Sequence, residues 1–342
     1  MMLPEPGDYA WVAGNIRVRY DMCQVSLTGQ AGHFMVYKER LFGVAGKVKE
    51  LSMFYGSYVA LVTPFKDDLE IDYDAFGRII DFQIENGTQG LVPCGCTGEA
   101  ATLSHDEQKA CIRFTVERAA GRVKVVAGTG SNNTREAMAL TRFAAEVHCD
   151  GALLITPYYN KPTAAGQIAH YTAIAREVDI PLMLYNVPGR TGIKMEPKTI
   201  AALSELPQVV SIKEACGSVD QVTQILGLCD IVVLSGDDSL TLPMMAVGAA
   251  GVVSVAANIA PADVSQLCTR AAAGDYVGAR EIHYKLAPLF KAMFLETNPM
   301  PVKAAMALMG LIKNKLRLPL VPLSHSHYTE LNAALEESGI TR

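Results

Sequence analysis

Val209-Val210-Ser211-Ile212-Lys213-Glu214-Ala215 is an apolar, β-branched run that closes on a lysine. That composition suits a strand of a parallel sheet, buried on both faces. Strand alternation puts Ser211 and Lys213 on one face and Ile212 on the other. If Ile212 packs beneath helices, Lys213 points to the opposite side, at the end of the strand. A lysine there is costly as a cation. Desolvation lowers its pKa and frees the amine that imine chemistry on a carbonyl requires. Taken alone, the same lysine also reads as half of a structural ion pair, with Glu214 as a candidate partner.

Working outward, short apolar runs recur at a period of roughly 30 residues, the spacing of βα units. They cover residues 58–65, 90–96, 123–128, 152–156, 182–187, 209–213, 231–235 and 252–256. Amphipathic stretches lie between them at 74–85, 105–120, 134–147, 164–178, 197–203, 219–228 and 240–247. The pattern predicts an α/β fold, a (β/α)8 TIM barrel over 53–260. A doubly wound open sheet is the alternative, weakened because no Gly-x-Gly-x-x-Gly turn follows the first strand. After residue 257 the periodicity is helical only, at 261–273, 276–295, 301–309 and 329–338. Residues 261–342 are therefore expected to form a C-terminal helical extension packed on the barrel. Residues 1–52 show no sustained periodicity and fit neither a secretory signal nor a transit peptide. They are expected to be a disordered or mis-annotated N-terminal extension, with translation starting naturally at Met53.

Composition narrows the function. Half of the 342 residues are hydrophobic and the net charge is −5, so the chain is globular, with no basic stripe for nucleic acid. The eight cysteines are scattered, without CxxC pairs or Cys/His spacing for a metal. They read as reduced thiols of a cytoplasmic protein. No uninterrupted apolar run is long enough to span a membrane.

In a barrel the active site lies at the C-terminal strand ends, and the polar residues of this chain fall there. The second strand ends in Gly95-Cys96-Thr97-Gly98-Glu99. The fourth ends in Thr156-Pro157-Tyr158-Tyr159-Asn160, the fifth in Tyr185-Asn186-Val187-Pro188-Gly189-Arg190-Thr191-Gly192 and the seventh in Ser235-Gly236-Asp237-Asp238. Singly, each has a plainer use. Gly95 to Gly98 can be a tight turn, the tyrosine pair can be packing, and Arg190 can be an exposed loop residue. Asp237 and Asp238 lack a third ligand group, so capping of the next helix is the simpler role. No cofactor and no metal are expected.

Together these motifs, with Ile212-Lys213-Glu214-Ala215, Leu234-Ser235-Gly236-Asp237-Asp238 and Asn298-Pro299-Met300-Pro301-Val302-Lys303, resemble the dihydrodipicolinate synthase/N-acetylneuraminate lyase superfamily. The resemblance runs from Met53 to the C-terminus, and Arg190 is similar to the dihydrodipicolinate synthase branch. It implies an imine between Lys213 and pyruvate, with Tyr185 as general acid/base. Thr97 would hold the pyruvate carboxylate, and Gly236 and Val253 would complete the substrate site. Arg190 would receive the carboxylate of L-aspartate 4-semialdehyde. It also implies a homo-oligomer, dimer or tetramer, in which a threonine and a tyrosine from the neighbouring subunit wire Tyr185 to solvent. Tyr159 matches that tyrosine, and Cys96 stands where the threonine would be. His105, Asn132, Glu136 and Tyr158 match positions that bind L-lysine in inhibited members, while Ala100 and Gln108 replace a serine and a histidine. The rival functions are a pyruvate-dependent aldolase for a keto-sugar acid and a catalytically weakened barrel that senses pyruvate or lysine.

Overall fold

The computed structural model describes residues 54–340 and, before them, the backbone of two short strands. Those strands, Tyr9–Val12 and Ile16–Arg19, pair antiparallel within a separate unit, Met1–Leu51. The rest of 1–52, and with it the reading of that segment as disordered or mis-annotated, lies outside the described residues.

From Ser52 onward the chain is one compact unit built on a closed barrel of eight parallel strands. They are β1 (Gly56–Ala60), β2 (Gly90–Val92), β3 (Lys124–Gly128), β4 (Gly151–Ile155), β5 (Leu182–Asn186), β6 (Val209–Glu214), β7 (Val232–Ser235) and β8 (Gly251–Ser254). Ring closure is made by β8 pairing with β1, Gly251 opposite Gly56. Each strand feeds a helix: α1 (Tyr73–Glu85), α2 (His105–Ala119), α3 (Thr134–Glu146), α4 (Ala164–Glu177), α5 (Pro197–Ser204), α6 (Val219–Leu228), α7 (Thr241–Ala246) and α8 (Pro261–Ala272). Three further helices, α9 (Tyr276–Ala292), α10 (Met300–Leu308) and α11 (Tyr328–Glu337), follow. Because α8 completes the eighth βα unit, the barrel runs past the expected boundary at residue 260.

Alternation along the strands sorts the core into two shells. Val59, Leu91, Ala127, Leu154, Leu184, Ile212, Val233 and Val252 face the helices. Tyr58, Ala60, Val92, Val126, Leu153, Met183, Tyr185, Leu234 and Val253 fill the barrel interior. Both shells are apolar because both faces of a parallel sheet are covered.

Two strands are shorter than their apolar runs suggest. β1 stops at Ala60 although burial continues to Phe65, because the next residues bond irregularly: the Leu61 N–H donates to Val92 and the Val62 N–H to Asn258 Oδ1. β2 stops at Val92 because Pro93 has no N–H for the ladder and Cys94 takes a positive φ of 56°. Hydrophobicity reported burial there, not pairing. Several helix starts carry side-chain caps. Ser104 and Glu107 form a reciprocal capping box on α2, and Asp72, Asn133, Thr163 and Ser218 cap others, each worth about 0.5–2 kcal/mol.

Candidate active site

Ile212 packs in the outer shell, so Lys213 projects from the inner face of β6, where it is 5% exposed. Tyr185 is its register partner on β5, and the lysine Nζ lies 4.4 Å from the centre of the tyrosine ring. Burial pulls the amine from its ordinary 10.5 down to about 8, with nearby Arg190 acting in the same direction and Cys96 and Asp238 opposing. At pH 7 about one molecule in ten then carries the free amine, against roughly one in three thousand for an ordinary lysine.

The ion pair with Glu214 does not exist. Among the described residues Lys213 has no carboxylate partner, while Glu214 points to the other face of β6. There it accepts bonds from Asn186 Nδ2 (3.0 Å), Gln221 Nε2 (2.9 Å) and the Cys216 N–H (2.9 Å). Burial raises the Glu214 pKa. Residues adjacent in a strand face opposite ways, which is why the nearest carboxylate in sequence is not the nearest in space.

Tyr185 is held by its backbone, whose carbonyl accepts from both the N–H and the Oγ1 of Thr156, each at 2.9 Å. Burial pushes its phenol pKa up, and the adjacent Cys96 thiol raises it further through charge and a hydrogen bond. The thiol thus lies beside the Tyr185 phenol. Gly236 follows β7 and lies against the lysine stem: a Cβ there would sit 2.9 Å from Lys213 Cε and 2.7 Å from Ala215 Cβ. Val253 lies fully buried in the interior shell.

Thr97 is buried at the mouth, and its Oγ1 accepts from Asn298 Nδ2 at 2.9 Å. The Asn298 carbonyl in turn accepts from Arg190 Nη2 at 2.9 Å. Arg190 sits on a single helical turn, Pro188–Thr191, as an exposed residue tethered to the site's rim. Asn298 carries no signal of its own in the sequence beyond its place in the Asn298–Lys303 motif. Lys303 of the same motif is fully buried, ion-paired with Glu99, and lies 4.2 Å from the centre of the Phe65 ring.

Other expected residues lie apart from Lys213. Tyr159 is 89% exposed at a φ of 70°, and Tyr158 is partly exposed beside it. His105 Nε2 stands 3.9 Å from Glu136 Oε2. The Asn132 carbonyl accepts from Asn160 Nδ2. Gln108 is buried, its amide donating to the Ala100 and Leu103 carbonyls. Asp237 stands at the N-cap position of the short 3-10 helix Asp238–Leu240, but neither its side chain nor that of Asp238 makes a capping bond. Asp238 is buried and accepts from the Ser254 hydroxyl and the N–H groups of Val255 and Ala256, tying β7 to the end of β8. Among the described residues no cluster of His, Cys, Asp and Glu could hold a metal, and no helix is long and apolar enough to cross a membrane. A cavity of about 460 Å³, lined by Tyr55, Tyr58, Gln89, Lys124 and Asp150, opens at the N-terminal strand ends, away from Lys213.

A lone buried amine and a phenol side by side at the C-terminal end of a (β/α)8 barrel define a class: a lyase that works on a carbonyl carbon. The profile of the Dihydrodipicolinate synthetase family matches residues 53–338. A 4-hydroxy-tetrahydrodipicolinate synthase of Nitratidesulfovibrio vulgaris is 53% identical over 290 residues, 84% of this chain and 99% of the relative. One from Syntrophobacter fumaroxidans is 52% identical, covering 84% of this chain and 100% of its own. Dihydrodipicolinate synthase from Aquifex aeolicus superposes with a TM-score of 0.82 at 48% identity, over 84% of this chain and 99% of that one. The chloride-inhibited enzyme of Acinetobacter baumannii complexed with pyruvate gives 0.83 at 44%, with the same coverage. The enzyme of Cyanidioschyzon merolae with lysine bound gives 0.82 at 39%, again with that coverage. The chain belongs to the dihydrodipicolinate synthetase family.

Proposed function

We propose that this chain condenses pyruvate with L-aspartate 4-semialdehyde to give 4-hydroxy-tetrahydrodipicolinate, the entry to diaminopimelate and lysine, and that it works in the cytoplasm. The observation that carries the reading is the buried Lys213 amine, 4.4 Å from the centre of the Tyr185 ring and without a carboxylate partner among the described residues. The amine adds to the keto carbon of pyruvate, water leaves, and an imine forms. Loss of a methyl proton gives the enamine, whose carbon attacks the aldehyde. The amino group of the second substrate then attacks the imine carbon, closing the ring and releasing Lys213. Tyr185 carries the protons, Thr97 holds the pyruvate carboxylate, and Arg190 receives the carboxylate of the semialdehyde. Gly236 leaves room for the lysine stem, and Val253 forms an apolar wall.

Borohydride reduction in the presence of pyruvate, followed by peptide mass mapping, tests this. The adduct is expected on Lys213. A reduced adduct on another lysine overturns the assignment. Arg190 favours the semialdehyde over a keto-sugar acid, and a panel of aldehydes separates the two.

Two finer features belong to the same reading. Tyr159 is too exposed to serve its own Tyr185, which supports a homo-oligomer, dimer or tetramer, in which it serves the neighbour's. Sedimentation of the Tyr159→Phe variant with matched activity assays separates a loss of relay from a loss of assembly. His105, Asn132, Glu136 and Tyr158 offer a carboxylate and polar groups to an amino acid, supporting L-lysine as inhibitor. Calorimetric titration with L-lysine, compared with Glu136→Gln, tests it.

A further inference from the structure

A hydroxyl can accept two hydrogen bonds and donate one. At Thr97 Oγ1 an acceptor position is taken by Asn298 Nδ2, 2.9 Å away across 201 residues of sequence. Among the described residues nothing accepts the Thr97 hydroxyl proton, and nothing accepts the N–H groups of Thr97 and Gly98. These donors belong to neighbouring residues of one buried turn. Its shape is held from outside: the Gly98 carbonyl accepts from Thr63 Oγ1 at 2.7 Å, and Glu99 is clasped by Lys303 and by the Arg317 N–H. Donors without a protein acceptor, on a rigid turn, fit a ligand group that only accepts. A carboxylate is such a group.

Asn298 is what makes the hydroxyl a donor. With an amide N–H lodged on its oxygen, Thr97 cannot spend its proton on that asparagine and must direct it elsewhere. The backbone carbonyl of the same residue holds Arg190 Nη2 at 2.9 Å. One asparagine, delivered by the segment before α10, therefore touches both groups assigned to substrate carboxylates.

We propose that Asn298 is a positioning and specificity-determining residue that fixes Thr97 as hydrogen-bond donor to the carboxylate of a 2-oxo acid, and so makes imine formation selective for keto acids over uncharged ketones. The inference rests on Lys213 as the imine-forming residue and Thr97 as the carboxylate holder. It adds that selectivity is set by the C-terminal helical region and not by the barrel alone.

The test uses the full chain and borohydride trapping with two probes, pyruvate and the carboxylate-free ketone acetone. Asn298→Ala should raise the pyruvate concentration for half-maximal trapping by roughly five- to tenfold, the worth of one hydrogen bond, and leave acetone trapping unchanged. Asn298→Asp should do more, on the order of a hundredfold. It replaces the donor by an acceptor that consumes the Thr97 proton, and it sets a second negative charge beside the ligand's. In a Thr97→Val background Asn298→Ala should add nothing, whereas in Thr97→Ser, which keeps the hydroxyl, its effect should return. Equal losses with pyruvate and acetone would mean that Asn298 only supports the fold, and would overturn the proposal. So would full additivity with Thr97→Val, or an Asn298→Asp variant as active as the parent. If Asn298→Ala fails to fold, the Thr97→Val and Thr97→Ser pair still reports whether the hydroxyl discriminates the two probes, and no discrimination sinks the idea. A parent protein that traps neither probe overturns the imine reading itself, and this inference with it.

Discussion

Lys213 and Tyr185 are paired across adjacent strands, with the amine 4.4 Å from the centre of the aromatic ring. Parallel pairing is what brings an amine and a phenol to the same depth of the barrel. Their relative height is set by backbone hydrogen bonds and not by loop conformation. The approach is also compatible with a neutral amine, because among the described residues no carboxylate lies within ion-pair distance of Lys213, although Asp238 acts on it from farther away.

Imine formation should follow the free amine. With the lysine pKa near 8, the initial rate of pyruvate trapping is expected to rise about tenfold per pH unit between pH 6 and 7, and to level off above 8. A stopped-flow or quenched series across pH 6–10 measures this. A flat profile would mean that the amine is not the titrating group.

The same burial makes Lys213 a liability for folding. Its folded pKa lies below the unfolded value, so the unfolded chain binds more protons between about pH 8 and 10.5, and stability rises with pH through that window. Below pH 8 the cost is fully present. Lys213→Met should therefore stabilise the protein at pH 7 by an amount of order 1–3 kcal/mol, with the gain shrinking toward pH 10. Melting curves of both proteins at the two pH values decide it.

Gly236→Ala should impair chemistry without unfolding the barrel. The new methyl group would press on the Lys213 stem at 2.9 Å and on Ala215 at 2.7 Å, so the amine must move. A misplacement of this kind costs roughly a hundredfold in rate. Trapping kinetics at saturating pyruvate, read beside an unchanged circular dichroism spectrum, checks the prediction.

Cys96→Thr should keep or raise kcat. A hydroxyl donates and accepts better than a thiol beside Tyr185, and the side chain is of similar size. Collapse of turnover in a normally folded variant would show that the thiol does something a hydroxyl cannot.

Lys303 and Glu99 form an ion pair with both side chains fully buried. Lys303→Met strands the carboxylate and should cost about 3–5 kcal/mol, whereas adding Glu99→Gln should recover much of that loss. Denaturant titration of the single and double variants provides the comparison, and equal losses in both would contradict it.

Much of this site was legible along the chain. The 30-residue rhythm announced a barrel, strand ends gathered Cys96, Thr97, Tyr185, Arg190 and Lys213, and alternation set Lys213 opposite Ile212. These are consequences of short-range geometry, a side-chain period of two and ladders that run from each strand to the next. Where the pattern misled, at the ends of β1 and β2, burial outlasted pairing, and hydrophobicity alone cannot separate the two. The sequence also could not say which carboxylate meets which cation. Glu214 adjoins Lys213 covalently yet turns away to Asn186 and Gln221, while Glu99 finds Lys303 across the fold.

What the sequence by itself determined, then, is the barrel, its order of strands and the polar side chains gathered at their ends. Only the tertiary structure decided the depressed pKa of Lys213, the closeness of Gly236 to its stem, and the bridge from Thr97 through Asn298 to Arg190. Local periodicity follows from the backbone of a few successive residues. Desolvation, steric limits and hydrogen bonds between distant loops arise only when ring closure brings those loops to the same end of the barrel.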